Sequence, residues 1–123
     1  VLDSSAVLAV FFHEPGGDAV VPILERGLLS TVNLAEVHTR MLDRGSNPQQ
    51  AWDWISALNR EICYFTAEQA RRAAELKAIT RPYGLSLGDR ACLALAIDRK
   101  ATVYTTDKVW KELPLGLKIE VIR

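Results

Sequence analysis

A chain of 123 residues, 49% apolar and 24% charged, has the size and make-up of one domain (residues 1–123) with a real core. Its 15 cations balance its 15 anions, which argues against a protein that coats nucleic acid by charge alone. No apolar run approaches the ~20 residues of a membrane helix, and Asp3 interrupts the N-terminal apolar run before a secretory leader forms, so a cytoplasmic protein without a membrane partner is expected.

Val1-Leu2 ends abruptly at Asp3, followed by two serines and the apolar run Ala6 to Phe12. This reads as the end of a buried strand, with Ser4 capping a helix that packs on the sheet. The first residue is not Met and the strand looks clipped, so a few residues are expected upstream. In open α/β sheets, ligands lie outside the carboxyl ends of the strands. Asp3 is therefore a site candidate, with simple helix capping as the plainer alternative.

His13-Glu14-Pro15-Gly16-Gly17 is a turn, and residues 17–26 a short helix with Pro22 inside it. Leu28-Leu29-Ser30 reads as a buried strand. Ser30 or Thr31 then caps a helix that runs to about Arg44 and stops at Gly45. Asn47-Pro48 opens a helix over 48–60, with Trp52, Ile55 and Leu58 at helical spacing. Ile62 to Phe65 is a strand, and Thr66-Ala67-Glu68-Gln69 a capping box for a helix to about Ile79. Glu68–Arg72 and Arg71–Glu75 stand at i,i+4 on its outer side. Arg81-Pro82-Tyr83-Gly84 breaks it. Ser86-Leu87-Gly88-Asp89 opens a helix apolar nearly all round from Ala91 to Ile97, hence the most buried one. Ala101 to Thr105 is a β-branched strand ending in Thr106-Asp107; a short helix to Leu113 and a strand over Lys118 to Ile122 close the chain. Strands alternate with helices, the pattern of a mostly parallel sheet flanked by helices on both faces.

Residues 1–70 carry 4 Lys/Arg against 9 Asp/Glu, and residues 71–123 carry 11 against 6. A basic half folded beside an acidic site would suit a polyanion bound through metal and cations together. Cys63 and Cys92 lie far apart in no metal-ligand spacing, which fits two buried free thiols in a reducing compartment.

Four carboxylates stand out by position. Asp3 and Asp107 follow strands, Glu36 lies one turn into a helix, and Asp89 opens the buried helix. Each has a local explanation: Asp89 completes a capping box, Asp107 starts a helix, and Glu36 is placed to pair with Arg40. Jointly they say more. On a parallel sheet, two or three of them converge at one edge, and crowded carboxylates do not all stay ionised without a cation among them. Oxygen-only donors select Mg²⁺ or Mn²⁺ rather than zinc, and a hydrated ion of that kind serves phosphoryl chemistry. Ser5 and Thr106 stand where a hydroxyl orients a carboxylate, a water or a phosphate oxygen.

The runs D-S-S-A at the N-terminus, N-L-A-E-V at 33–37, L-S-L-G-D-R-A-C-L-A-L-A at 85–96 and T-T-D at 105–107 resemble, in order, the motifs of PIN-domain ribonucleases. The resemblance is nearest to the VapC-type toxins of toxin–antitoxin pairs. It implies a three-layer α/β/α sandwich and the acidic quartet Asp3, Glu36, Asp89 and Asp107, with Ser5 and Thr105 in support. It further implies a Mg²⁺- or Mn²⁺-dependent endoribonuclease, with Asp3, Asp89 and Asp107 on the metal. As partners it implies RNA, a second copy in a homodimer, and a cognate VapB-type antitoxin whose C-terminal segment covers the groove. For Glu36 the resemblance overrides the helical wheel, on which this residue falls opposite Leu34, Val37 and Met41.

Two other readings compete. A PIN nuclease of RNA processing would share every motif. A phosphoacceptor receiver module would need an Asp after a central strand, where Leu28-Leu29 is followed by Ser30-Thr31. His13 and His38 have no partner at ligand spacing and are expected at surface or edge positions. Asp98 is expected in a salt bridge. Of Trp52 and Trp54, one is expected in the core and the other on a docking surface. Arg90 and Lys108 adjoin site acids, where phosphate contact and ordinary solvated pairing are equal alternatives.

Overall fold

In a computed structural model, which describes residues 1–58 and 61–123, period-two alternation along short extended segments sorts the core into two halves. Val1, Cys63 and Val103 face one cluster; Leu2, Leu29 and, half-buried, Ile62 and Tyr104 face the other. The sheet between them is assembled from β1 (Leu28–Ser30), β2 (Glu61–Cys63), β3 (Val103–Thr105) and β4 (Ile119–Val121). β1 pairs in parallel with β2, and β3 in parallel with β4. The N-terminal residues join the pairs. Leu2 N–H donates to Leu28 at 2.9 Å, Asp3 N–H donates to Tyr104 at 3.0 Å, and Tyr104 N–H donates to Val1 at 2.9 Å. The resulting order is β4–β3–residues 1–3–β1–β2, all parallel where paired. In such a sheet the direction of winding reverses beside the first strand. Asp3 thus stands at the carboxyl edge beside that switch point.

α1 (Ser4–Phe11), α2 (Gly17–Leu24), α3 (Thr31–Asp43) and α4 (Pro48–Leu58) cover one face. α5 (Ala67–Thr80) and α6 (Leu87–Arg99) cover the other, with two 3₁₀ turns at Arg81–Tyr83 and Lys108–Glu112. This is the three-layer α/β/α sandwich. α6 is its centre, buried without a break from Ala91 to Ala96. The fully buried Trp110 packs in the same half.

Local signals act largely as the sequence suggests. Ser30 Oγ accepts from Val32 N–H, and Asn47 Oδ1 accepts from the N–H groups of Gln49 and Gln50. Gly45, at φ 93°, follows the end of α3 in the left-handed conformation that glycine adopts freely. Ser86 and Asp89 form both halves of their capping box.

Several expectations are corrected. Ser4 is the first residue of α1 and not its cap; Asp3 holds that position without a side-chain capping bond. The strand expected at Ile62–Phe65 is Glu61–Cys63, and Tyr64 is left 81% exposed. β3 and β4 are shorter than the runs Ala101–Thr105 and Lys118–Ile122. The expected end of the fourth helix at 59–60 lies outside the described residues. Thr66 Oγ1 accepts from Gln69 N–H, but the Gln69 amide turns away to donate to Asp98 at 3.4 Å, so the second capping box is one-sided. Asp98 accepts from that amide and pairs with no described cation, and of the two expected pairs on α5 only Arg71–Glu75 forms, at 3.0 Å. Trp54 stacks edge-on against Phe11 and is half-buried, whereas Trp52 is exposed beside His38. Cys63 and Cys92 are free and buried, and burial pushes both thiols up, Cys92 well above the ordinary range.

Candidate active site

Three helix starts meet at the carboxyl edge of the sheet. Asp3 immediately precedes α1, Glu36 lies in the second turn of α3, and Asp89 lies in the first turn of α6. All three line one open groove of about 870 Å³. Leu8, Val32, Ala35 and Phe65 give it apolar walls, and Arg40 is its one cationic lining residue among the described residues.

Asp3 is only 4% exposed. Ser5 donates to its Oδ2 at 2.5 Å and Thr105, fully buried at the end of β3, donates to the same oxygen at 2.9 Å. The Ser5 hydroxyl in turn accepts from Thr106 N–H, and the Thr105 hydroxyl accepts from Asp107 N–H. The first helix is thereby laced to the turn after β3. Burial raises the Asp3 carboxyl to about 6; the charges of Asp89 and Glu36 add to the rise, and the two hydroxyls oppose it.

Glu36 Oε1 accepts from Ser4 Oγ at 2.6 Å and from Asn33 Nδ2 at 2.9 Å. Those bonds displace the ion pair that spacing offered with Arg40, which stays exposed on the groove wall. Asp89 Oδ2 accepts from Ser86 N–H at 2.8 Å. Its carboxyl is also raised, first by burial, with further pushes from Glu36 and Asp107. Asp107 is exposed and outside the groove lining; its Oδ1 accepts from Val109 N–H at 3.1 Å.

A pattern runs through the four acids. In each, every hydrogen bond from a described residue goes to a single oxygen: Oδ2 of Asp3, Oε1 of Glu36, Oδ2 of Asp89 and Oδ1 of Asp107. The second oxygen of each carboxylate accepts from no described residue. Among the described residues, no three His, Cys, Asp or Glu side chains are gathered tightly enough to enclose an ion by themselves. A ready-made protein cage is what zinc or calcium takes. Mg²⁺ instead keeps several waters and uses one or two carboxylates, which this set offers.

Of the residues expected at the site, the structure brings Asp3, Glu36, Asp89, Ser5 and Thr105 together, with Thr106 contributing its backbone N–H. Asp107 is joined to them through Thr105. Arg90 turns away, its guanidinium donating to the Ala73 carbonyl at 2.8 Å on α5. His13 is exposed in its turn. Sequence reasoning missed Ser4 and Asn33 as partners of Glu36. The i,i+3 spacing of Asn33 and Glu36, which puts both on one face of α3, was the available signal.

A family model described as PIN domain matches residues 1–115. No curated protein matches the chain. Among solved structures, a toxin–antitoxin complex from Klebsiella pneumoniae superposes with a TM-score of 0.75 at 17% identity, over 99% of this chain and 96% of that one. VapBC2 from Rickettsia felis, bound to a DNA fragment from its promoter, gives 0.71 at 22% identity, covering 97% and 95%. DNA-bound VapBC from Salmonella typhimurium gives 0.70 at 17% identity, covering 97% and 94%. At these identities the likeness establishes the fold.

Proposed function

This chain belongs to the PIN-domain family, and from that premise we propose that it is a Mg²⁺- or Mn²⁺-dependent endoribonuclease and the toxin of a VapBC-type pair. Its substrate is RNA, its working form a homodimer, and its inhibitor a VapB-type antitoxin. The observation that carries the catalytic reading is the half-anchored carboxylate set: each acid is fixed through one oxygen, and its other oxygen accepts from no described residue. Similarity to the fold of toxin–antitoxin complexes supports the toxin role over a housekeeping one.

Asp3 and Asp89 would hold the ion, with Asp107 reaching it from the neighbouring turn and Glu36 completing the wall or taking a proton. When bound, the ion supplies charge neutralisation at the phosphodiester and a more acidic water. The chain's own residues do the rest. Ser5 and Thr105 orient Asp3 through Oδ2, Ser4 and Asn33 orient Glu36, and the Ser86 N–H fixes Asp89. With three carboxylates on one wall, the groove repels an RNA backbone until a divalent ion offsets them, which couples substrate binding to metal.

The direct test is cleavage of a defined structured RNA by purified, antitoxin-free protein with Mg²⁺ or Mn²⁺ and with EDTA, beside Asp89→Asn. Metal-dependent cleavage lost in the variant is expected. Cleavage retained by Asp89→Asn, or no binding of either metal by the wild type, would overturn the assignment.

A further inference from the structure

Asn33 is fully buried on the first turn of α3, where an apolar side chain would ordinarily be the stable choice. Its Nδ2 instead reaches three acceptors on three helices: Glu36 Oε1 at 2.9 Å, Ser4 Oγ at 3.2 Å and the Gly88 carbonyl at 3.1 Å. An amide nitrogen has two protons, so the three acceptors share them. The Gly88 carbonyl cannot donate, which fixes the orientation of the amide. The arrangement has a cost: Asn33 Oδ1 is buried with no partner among the described residues. An apolar residue of the same volume would avoid that cost, so packing alone does not account for Asn33.

The three acceptors share a location. Ser4 adjoins Asp3, Gly88 adjoins Asp89, and Glu36 is the third acid of the groove. Gly88 allows the approach, since a β-carbon built there would overlap the Glu36 carboxylate. Glu36 is thus pressed against the backbone of α6 and held there from the Asn33 side.

We infer that Asn33 is the positioning residue of the acidic site. By clamping Glu36 between α1 and α6 it sets the spacing of the three groove carboxylates, and through that spacing the affinity for a divalent ion. This rests on the metal-site reading above. Outer residues that orient metal ligands typically change affinity by ~10–100-fold when removed; a buried residue that only packs changes stability instead.

The test is a thermodynamic cycle read by electron paramagnetic resonance of free Mn²⁺, on the full chain, with wild type, Asn33→Leu, Glu36→Gln and the double variant. Asn33→Leu is expected to weaken Mn²⁺ binding by ~10-fold or more. In the Glu36→Gln background the same substitution is expected to add nothing, because its effect passes through the Glu36 carboxylate. If Asn33→Leu does not fold, Asn33→Ala carries the same two comparisons. Affinity within twofold of wild type, or an equal loss in both backgrounds, overturns the inference. Asp3→Asn separates the two levels. If it abolishes Mn²⁺ binding while Asn33 has no effect, the clamp falls and the metal site stands; if wild type binds no Mn²⁺, both fall.

Discussion

Replacing Asp3 by Asn should stabilise the metal-free protein at neutral pH while abolishing its activity. Asp3 is buried, and its carboxyl is raised from 3.8 to about 6. Between those two values the folded chain holds a proton that the unfolded chain has released. Stability therefore falls as pH rises through that window, and the loss is complete above about 6. At about 1.4 kcal/mol per pH unit of displacement, ionised Asp3 costs about 3 kcal/mol. Asn keeps an oxygen to accept from Ser5 and Thr105, and puts its amide where the second oxygen of Asp3 met no described donor. Urea unfolding in EDTA from pH 4 to pH 7.5 is the assay. Wild type should lose about 2.5 kcal/mol across the range, more if the raised Asp89 adds its share. Asp3→Asn should lose distinctly less and melt roughly 10 °C higher at pH 7.5. A wild-type stability that climbs from pH 4 to pH 6, or a variant with the same slope, would refute the reasoning.

The same linkage gives the metal's effect its sign. Mg²⁺ or Mn²⁺ should raise the melting temperature at pH 7.5 and have little effect at pH 4.5, where Asp3 is protonated; equal shifts at both would count against Asp3 as a ligand. Gly88→Ala should push the Glu36 carboxylate off its bonds with Ser4 and Asn33, reducing cleavage at least tenfold for a stability loss of about 1–2 kcal/mol, checked by rates and urea melts. Asp89→Asn should abolish cleavage and leave stability within about 1 kcal/mol of wild type, because Asn still accepts from Ser86 N–H; a large drop in melting temperature would mean that the carboxylate is mainly structural. Asp107→Ala loses the cap on Val109 N–H and should cost about 1 kcal/mol, whereas Asp107→Asn should keep that stability and isolate any role in metal binding.

The alternation of short apolar runs with helical segments was enough to give the layered architecture, since burying one face of each helix on a parallel sheet leaves few arrangements. Local chemistry likewise placed the helix starts at Ser30, Thr66 and Ser86, where a hydroxyl meets N–H groups two or three residues on. The ordered acidic motifs marked Asp3, Glu36, Asp89 and Asp107 as a set. Tertiary structure decided what each side chain does. Ser4 reads locally as a cap, but α3 brings Glu36 within 2.6 Å of its hydroxyl. Glu36 reads as the partner of Arg40, yet Ser4 and Asn33 take its oxygen and leave Arg40 on the groove wall. Arg90, for which phosphate contact and solvated pairing read equally well beside Asp89, instead reaches back to α5. These contacts join residues 17 to 32 positions apart, apart from the single turn between Asn33 and Glu36. Periodicity and propensity report a residue's neighbours along the chain. Which donor reaches a buried carboxylate first is settled by which helix starts the sheet order brings to one edge.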